Sequence, residues 1–284
     1  MTERRFGFVQ WEFAGRLGPD PGRYPVRRFA GDDVREIVVI GGLEAPRRSR
    51  LPHRRRPRGV EAPSLATVEV TRATVIDAAP LYEREAAEAW LDQAVERAEE
   101  VVGGALGVLN RAVAGHRVAA ADPLLPDADP ARALATRIGY GAGEQVAEGE
   151  WEAAREIAPP RAGRARALVP QQRLAALLSG RDVALACEEL ALRARGDLTA
   201  GRQREAAMQL HLALEAAVAE LEPWREQVTG LADRLAQLRE HRAAVGAVAN
   251  AALQGGLQDE QIELVRVVLG RIEAALRART AGGV

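Results

Sequence analysis

The feature that most constrains the fold of this chain is an apolar stripe between Leu221 and Val245. Its members follow one another at alternating steps of three and four residues, the heptad spacing of a helix that packs along another helix. The stripe consists of Leu221, Trp224, Val228, Leu231, Leu235, Leu238 and Val245. Arg242 interrupts it where an apolar residue is due. We therefore predict one helix from Leu221 to about Leu253, roughly 50 Å long at 1.5 Å per residue.

A second stripe with the same spacing follows the pair Gly255-Gly256. It consists of Ile262, Val265, Leu269, Ile272 and Leu276. Two successive helices with matching stripes predict a coiled-coil-like hairpin over residues 221–284. Because the first stripe is longer than a lone hairpin needs, we expect the surplus to pack on other helices or on a second copy of the chain.

The middle of the chain, residues 80–220, is predicted to form an α-helical array. Its apolar residues recur with a period near 3.6, and with only 4% aromatic content the core must consist mainly of Ala, Leu and Val. Gly103-Gly104 is expected to weaken or kink a long helix. We also predict a helix over Ala131–Ile138 that follows an Asp129-Pro130 cap, and a pair of short helices around Gly149.

The N-terminal residues 1–79 have the period-two alternation and the aromatic and β-branched content of strands. We predict four strands, over residues 5–14, 24–29, 34–40 and 65–76. The predicted fold class is therefore α+β and predominantly α: a small antiparallel β domain, then the helical array, then the helical hairpin.

The segment over residues 46–59 is rich in arginine and proline, lacks periodicity and is predicted to be a loop. Its arginines are Arg47, Arg48, Arg50, Arg54, Arg55, Arg56 and Arg58. Residues 1–80 hold 15 arginines and 10 acids, a net charge of +5, whereas residues 81–284 carry −6. Such a loop could bind the phosphates of a nucleic acid, although it contains no aromatic residue to stack on a base. The competing interpretations are a solvated loop and a loop that docks on the acidic helices.

Two segments of the helical region resemble each other, since the distance from a leading glycine to Glu-Ala-Ala is the same in both. One runs from Gly143 to Ile157 and the other from Gly196 to Leu210. The second, with Ala213-Leu214, resembles the second half of a tetratricopeptide repeat, although Asp197 stands near the slot of the expected aromatic. The resemblance implies stacked helical hairpins with a concave, peptide-binding surface. We predict Ala153, Ala154, Ala206 and Ala207 at the helix crossings, and Trp151 and Arg204 as partner contacts near the edge.

Residues with chemical potential are few and scattered. Gly139, Gly141 and Gly143 could cradle a phosphate, but neither a preceding parallel strand nor a Lys-Ser/Thr pair supports that interpretation over a simple turn. Cys187 lies in an apolar helical segment and is predicted to be a buried, inert thiol. The four histidines lack the three- or four-residue spacing of a helical metal site. We predict no catalytic residues, no metal site and no cofactor.

These patterns favour a non-enzymatic protein-interaction or scaffold protein whose partner is another protein or a second copy of the chain. One alternative is a nucleic-acid-associated or regulatory protein that uses residues 46–59. Another is an enzyme whose site is assembled from residues distant in sequence. The first residues lack the pattern of a secretory signal, and no apolar stretch is long enough to span a bilayer, so we expect a cytoplasmic protein.

Overall fold

A computed structural model describes residues 4–27, 31–43, 69–158, 171 and 173–281. The chain forms two compact units, Met1–Pro160 and Arg161–Val284. The predicted class is confirmed in its main terms, because an antiparallel sheet lies in the N-terminal part and helices predominate elsewhere. The boundary between the units differs from the predicted boundaries at residues 79 and 220. Among the described residues, no helix combines the length and the apolar content needed to cross a bilayer.

The N-terminal unit contains a six-stranded sheet in the order β2-β3-β4-β1-β5-β6. Its strands are β1 (Arg5–Ala14), β2 (Gly22–Val26), β3 (Glu36–Leu43), β4 (Val70–Leu81), β5 (Ala133–Ala142) and β6 (Ala153–Glu156). Every neighbouring pair is antiparallel. The four predicted strands are confirmed with shifted ends, and predicted strand residues 28–29 and 65–68 lie outside the described residues.

The strands β5 and β6 correct the sequence prediction, which placed helices over residues 131–138 and 150–157. The helix predicted over residues 144–147 corresponds to a 3-10 helix, Gly143–Glu148. Asp129 does cap the amide of Ala131, but it begins a short 3-10 turn and not an α-helix. The following residues pair with β1, and this pairing outweighs the helical preference of their alanines. Gly139 permits the close packing, because a Cβ there would lie 2.5 Å from the Ala153 carbonyl oxygen.

Two helices, α1 (Arg84–Glu96) and α2 (Ala98–Ala119), cover one face of the sheet. The predicted apolar helix residues Leu91, Leu106, Leu109 and Val113 are buried there. They share a core with inward side chains of the strands, among them Trp11, Val75 and Ile138. The kink predicted at Gly103-Gly104 is wrong, because α2 continues unbroken through these two exposed glycines. The break between α1 and α2 lies instead at Arg97.

The C-terminal unit is a helical bundle built around one central helix. Its helices are α3 (residues 173–178), α4 (Ala186–Thr199), α5 (Gln203–Glu220), α6 (Leu231–Glu240), α7 (Arg242–Gln254) and α8 (Asp259–Ala281). The helix α5 contacts α4, α6, α7 and α8. Its small residues Ala206, Ala207, Ala213 and Ala217 are fully buried, which lets the neighbouring backbones approach closely.

The heptad stripe is buried as predicted, but the single helix that should carry it is wrong. A 3-10 turn at Glu222–Trp224 contains Pro223, and Gly230 adopts a left-handed conformation with φ +74°. Both features end helical geometry, so α6 begins only at Leu231. Except for the half-buried Trp224, every member of the stripe is buried.

The packing partners of the stripe also differ from a simple hairpin. The helix α8 contacts α4, α5 and α6, and α7 packs mainly on α5, so the predicted coiled-coil geometry is not confirmed. Arg242, the interruption in the stripe, lies on the exposed side of α7 and pairs with Glu215 of α5 (Nε to Oε1, 2.9 Å). This pairing lowers the pKa of Glu215. A surface ion pair therefore replaces an apolar contact at that slot.

The predicted repeat is also wrong. Ala153 and Ala154 lie on the edge strand β6, whereas Ala206 and Ala207 lie on the central helix α5. The two Glu-Ala-Ala segments therefore occupy unrelated packing environments. Within the described residues, α4 and α5 pack together as one helical pair, but the segment from Gly143 supplies no second pair of the same kind.

A buried charged cluster fastens the last turn of α8 to the beginning of the unit. Arg279 is only 2% exposed and donates to Asp182 (Nη2 to Oδ1, 2.8 Å), while its guanidinium lies 4.5 Å from the centre of the Trp224 ring. Arg173 donates to Asp182 (3.1 Å) and to Glu188 (2.5 Å). Burial opposes the ionisation of Asp182, but the hydrogen bonds it accepts outweigh that effect and lower its pKa.

Candidate functional site

The face of the sheet opposite α1 and α2 is our candidate site, and we call it the Trp151 face. It carries the apolar side chains of Phe6, Phe8, Ile37, Val39, Ile76 and Trp151. Strand register arranges its residues in rows across the sheet. In the first row Ile37 pairs with Ile76, Ile76 with Phe8, and Phe8 with Gly139. A sheet face exposed to water usually carries polar residues at such positions, so this apolar row is the sequence pattern of a covered face.

The second row consists of Val39, Thr74, Gln10 and Arg137, and its two central residues are held by specific hydrogen bonds. Gln10 and Thr74 are fully buried, and the Gln10 amide donates to the Thr74 hydroxyl (2.9 Å) and to the carbonyl oxygen of Val146 (3.1 Å). Gln10 Oε1 is buried and has no hydrogen-bond partner among the described residues, an arrangement that costs stability. The amide of Gln10 thus ties the sheet to the turn above it.

The third row is charged. Glu12 Oε1 accepts from Arg137 (2.8 Å) and from Arg72 (3.1 Å), on the strands that flank β1. Burial opposes ionisation of Glu12, but the two hydrogen bonds and the attraction of both guanidinium groups outweigh it and lower the pKa of this carboxyl. Glu12 therefore stays ionised at neutral pH and fixes two arginines on the Trp151 face.

A 3-10 turn, Gly143–Glu148, crosses part of the Trp151 face and contacts β1, β3, β4 and β5. Its Val146 is fully buried against Phe8 and Ile76. The turn ends at Gly149, which has φ +98° and lies against Arg72. Phe6, Ile37, Val39 and Trp151 remain only half-buried around the turn. Within the described residues, Phe8 and Ile76 at the centre of the apolar row are therefore covered, whereas the apolar side chains around them are covered only in part.

Trp151 lies beside the first row, directly before β6. Its ring centre is 5.8 Å from that of Phe8, and the Arg137 guanidinium carbon is 5.8 Å from the Trp151 ring centre. The side chain is half-buried, and the next residue, Glu152, forms an ion pair with Arg5 (2.8 Å). The helical hairpin predicted around Trp151 is absent from this described stretch, so the indole stands on a sheet face and not on a helical rim.

Arg204, the other predicted partner contact, belongs to the C-terminal unit. It lies in the first turn of α5, and its Nε donates to the carbonyl oxygen of Ala252 near the end of α7 (2.6 Å). This bond satisfies a carbonyl that the end of a helix leaves unpaired. The structure therefore places Trp151 and Arg204 in different units.

The seven arginines of residues 46–59 lie outside the described residues. The turn favoured over a phosphate cradle at Gly139, Gly141 and Gly143 is instead largely strand. Gly139 and Gly141 belong to β5, and a Cβ at Gly141 would lie 2.8 Å from Val146 Cγ1. These two glycines thus make room for the turn and for β6. In the described part of the chain, no group of three or more His, Cys, Asp or Glu side chains could hold a metal ion.

Cys187 is buried, as predicted, at the beginning of α4. Burial, and then the adjacent Glu220 carboxylate, raise the pKa of this thiol to about 12. The same carboxylate accepts the backbone amides of Ala186 (3.2 Å) and Cys187 (2.9 Å), and so caps α4 from the end of α5. The Cys187 thiol therefore stays protonated at neutral pH, which makes it a poor nucleophile.

Comparison of the chain with models of protein families, with curated proteins and with solved structures found no match.

Proposed function

We propose that this chain is a protein-interaction or scaffold protein that binds a partner protein through the Trp151 face. The observation that carries the proposal is a group of half-buried apolar side chains around the first row, which consists of Phe6, Ile37, Val39 and Trp151. Exposed apolar patches framed by charged residues are typical of interaction surfaces. Here the apolar residues adjoin Arg137 and the ion pair of Arg5 with Glu152.

The composition of the face supports the same proposal. Tryptophan and arginine are the residues most often found at the energetic centre of protein interfaces. Glu12 holds Arg137 in place, and the ring of Phe8 packs beside the ring of Trp151. The side chains of Arg137 and Trp151 are therefore already ordered before a partner binds. Such preorganisation reduces the entropy lost on association.

The proposal predicts that Trp151→Ala and Val39→Lys each weaken association with the partner roughly thirtyfold or more, because an interface anchor contributes about 2 kcal/mol or more. The partner is first trapped in the native cell by a photo-crosslinking residue at position 39, and its affinity is then measured by titration calorimetry. Sedimentation of the chain alone across a wide concentration range tests whether the partner is a second copy.

The matched control for Val39→Lys is Val118→Lys, because Val118 is an exposed valine on α2, on the other side of the sheet. Melting temperatures establish that each variant is folded. Trp151→Ala could weaken binding indirectly, because it removes packing contacts within the unit. Val39→Lys avoids this problem, because a lysine at a half-buried position can extend its charged end into solvent without loss of packing. Equal affinities for Val39→Lys, Val118→Lys and the unmodified chain would contradict the proposal.

The composition of residues 46–59 supports a second proposal, in which their seven arginines bind the phosphates of a nucleic acid. Seven phosphate contacts predict a slope of about −6 when the logarithm of affinity for short duplex DNA is plotted against that of salt concentration. Replacing Arg54, Arg55 and Arg56 with serine should reduce the slope by about half. Fluorescence anisotropy measures both, and absence of binding at about 50 mM salt excludes this function.

A further inference from the structure

The N-terminal unit contains a cavity of about 250 Å³, open to solvent, between the sheet and the helices α1 and α2, on the side away from the Trp151 face. Val9 and Val75 line it from the sheet, and Val101 and Val108 line it from α2. At roughly 30 Å³ per molecule, the volume corresponds to about eight waters. An apolar space of this size suits a small organic molecule better than a metal ion.

An indole and two glycines give the cavity its shape. The Trp90 ring lies so close to Gly7 that a Cβ there would be 2.5 Å from the ring, so only glycine leaves room for it. Gly104 borders the cavity from α2 and has nothing within 4 Å of where its Cβ would lie. The glycine in the middle of α2, unfavourable for the helix itself, therefore leaves space beside Trp90.

Two carboxylates, Glu36 and Asp77, complete the lining. They are direct partners across β3 and β4, where like charges destabilise a sheet. Asp77 accepts the amide of Ala79 (2.9 Å), and none of the ion pairs among the described residues involves either carboxylate. Glu36 is half-buried and Asp77 is exposed, so the open cavity has negative charge at its rim, beside apolar and aromatic side chains.

We propose that this cavity binds a small organic cation, an ammonium group attached to an aromatic or aliphatic body of about ten non-hydrogen atoms. The ammonium lies between Glu36 and Asp77 and relieves their mutual repulsion. The apolar body packs on the valines, and the face of Trp90 attracts the positive charge. This ligand site is independent of the Trp151 face, which lies on the other side of the sheet.

The test titrates the full chain with 2-phenylethylammonium and compares it with the neutral 2-phenylethanol and the anionic 3-phenylpropionate. The indole N–H resonance of Trp90, assigned through its loss in Trp90→Phe, reports on binding. We expect a saturable shift with the cation, affinity for the alcohol at least about tenfold lower, and no shift with the anion. No shift with the cation, or equal affinity for cation and alcohol, would overturn the proposal.

Variants then locate the ligand. We expect Glu36→Gln and Asp77→Asn to weaken binding of the cation by about tenfold each, and the exposed Asp92→Asn on α1 to have no effect. Gly104→Leu should block the cavity, whereas Gly103→Leu, on the same exposed stretch of α2 but outside the lining, should not. Melting temperatures verify folding, and equal binding by the two leucine variants would refute this location.

Discussion

Replacing Leu235 with aspartate is expected to destabilise the C-terminal unit by about 4 kcal/mol or more. The side chain is fully buried within the apolar core of the bundle. The change therefore removes apolar burial and places a carboxylate among apolar side chains. The neighbouring Ala236 is exposed on the same helix, and Ala236→Asp serves as the control. Urea denaturation followed by far-ultraviolet circular dichroism measures the difference. Similar midpoints for the two variants would show that the stripe contributes little to the core.

Arg279→Met is expected to destabilise the same unit by about 3 kcal/mol. Methionine retains much of the volume but removes the buried cation, so Asp182 loses one of its two arginine partners and Trp224 loses its cation. Arg277→Met is the matched control, since Arg277 is exposed on the same turn of α8. An unchanged unfolding free energy in Arg279→Met would mean that the charged cluster does not contribute to stability.

The same cluster predicts an acid-sensitive stability. The lowered pKa of Asp182 means that its stabilising contribution is fully present above its unfolded pKa of about 3.9 and is lost as the pH falls through the lower folded value. Because the Arg279 guanidinium contributes to that lowering, Arg279→Met should lose less stability than the unmodified chain on acidification. Denaturation at a series of pH values between about 5 and 2 tests this difference.

The stripe in the C-terminal unit illustrates which structural information the sequence contains. Heptad spacing correctly identified Leu231, Leu235 and Leu238 as core, because burial on one side of a helix depends only on local periodicity. The prediction of one continuous helix was wrong because Pro223 and Gly230 interrupt it, and heptad spacing does not show such interruptions. The choice of α5 and α8 as packing partners depends on bundle geometry, which spacing alone does not specify.

The helices predicted where β5 and β6 lie were wrong for a different reason. Residues 133–156 contain enough alanine and glutamate to fit a helical pattern, and strands form there because β5 pairs with β1 and β6 pairs with β5. Trp151 was identified from sequence as a contact residue, and this remains a proposal. Its surroundings could not be predicted, because Phe8, Arg137 and Ile76 come from three strands whose register is set by the assembled sheet. The alternation of Phe6, Phe8, Gln10 and Glu12 was the one local signal of this face.

The position of β1 in the middle of the sheet has a consequence for biogenesis. This first strand of the chain pairs with β4 on one side and with β5 on the other, so its second edge stays open until Ala133–Ala142 has left the ribosome. Contacts so distant in sequence slow folding, and an unpaired apolar strand favours aggregation meanwhile. The adjacent helices α4 and α5 pack across a three-residue connection and can assemble soon after synthesis. The sheet of the N-terminal unit therefore depends more on protection by chaperones than the pair of α4 and α5 does.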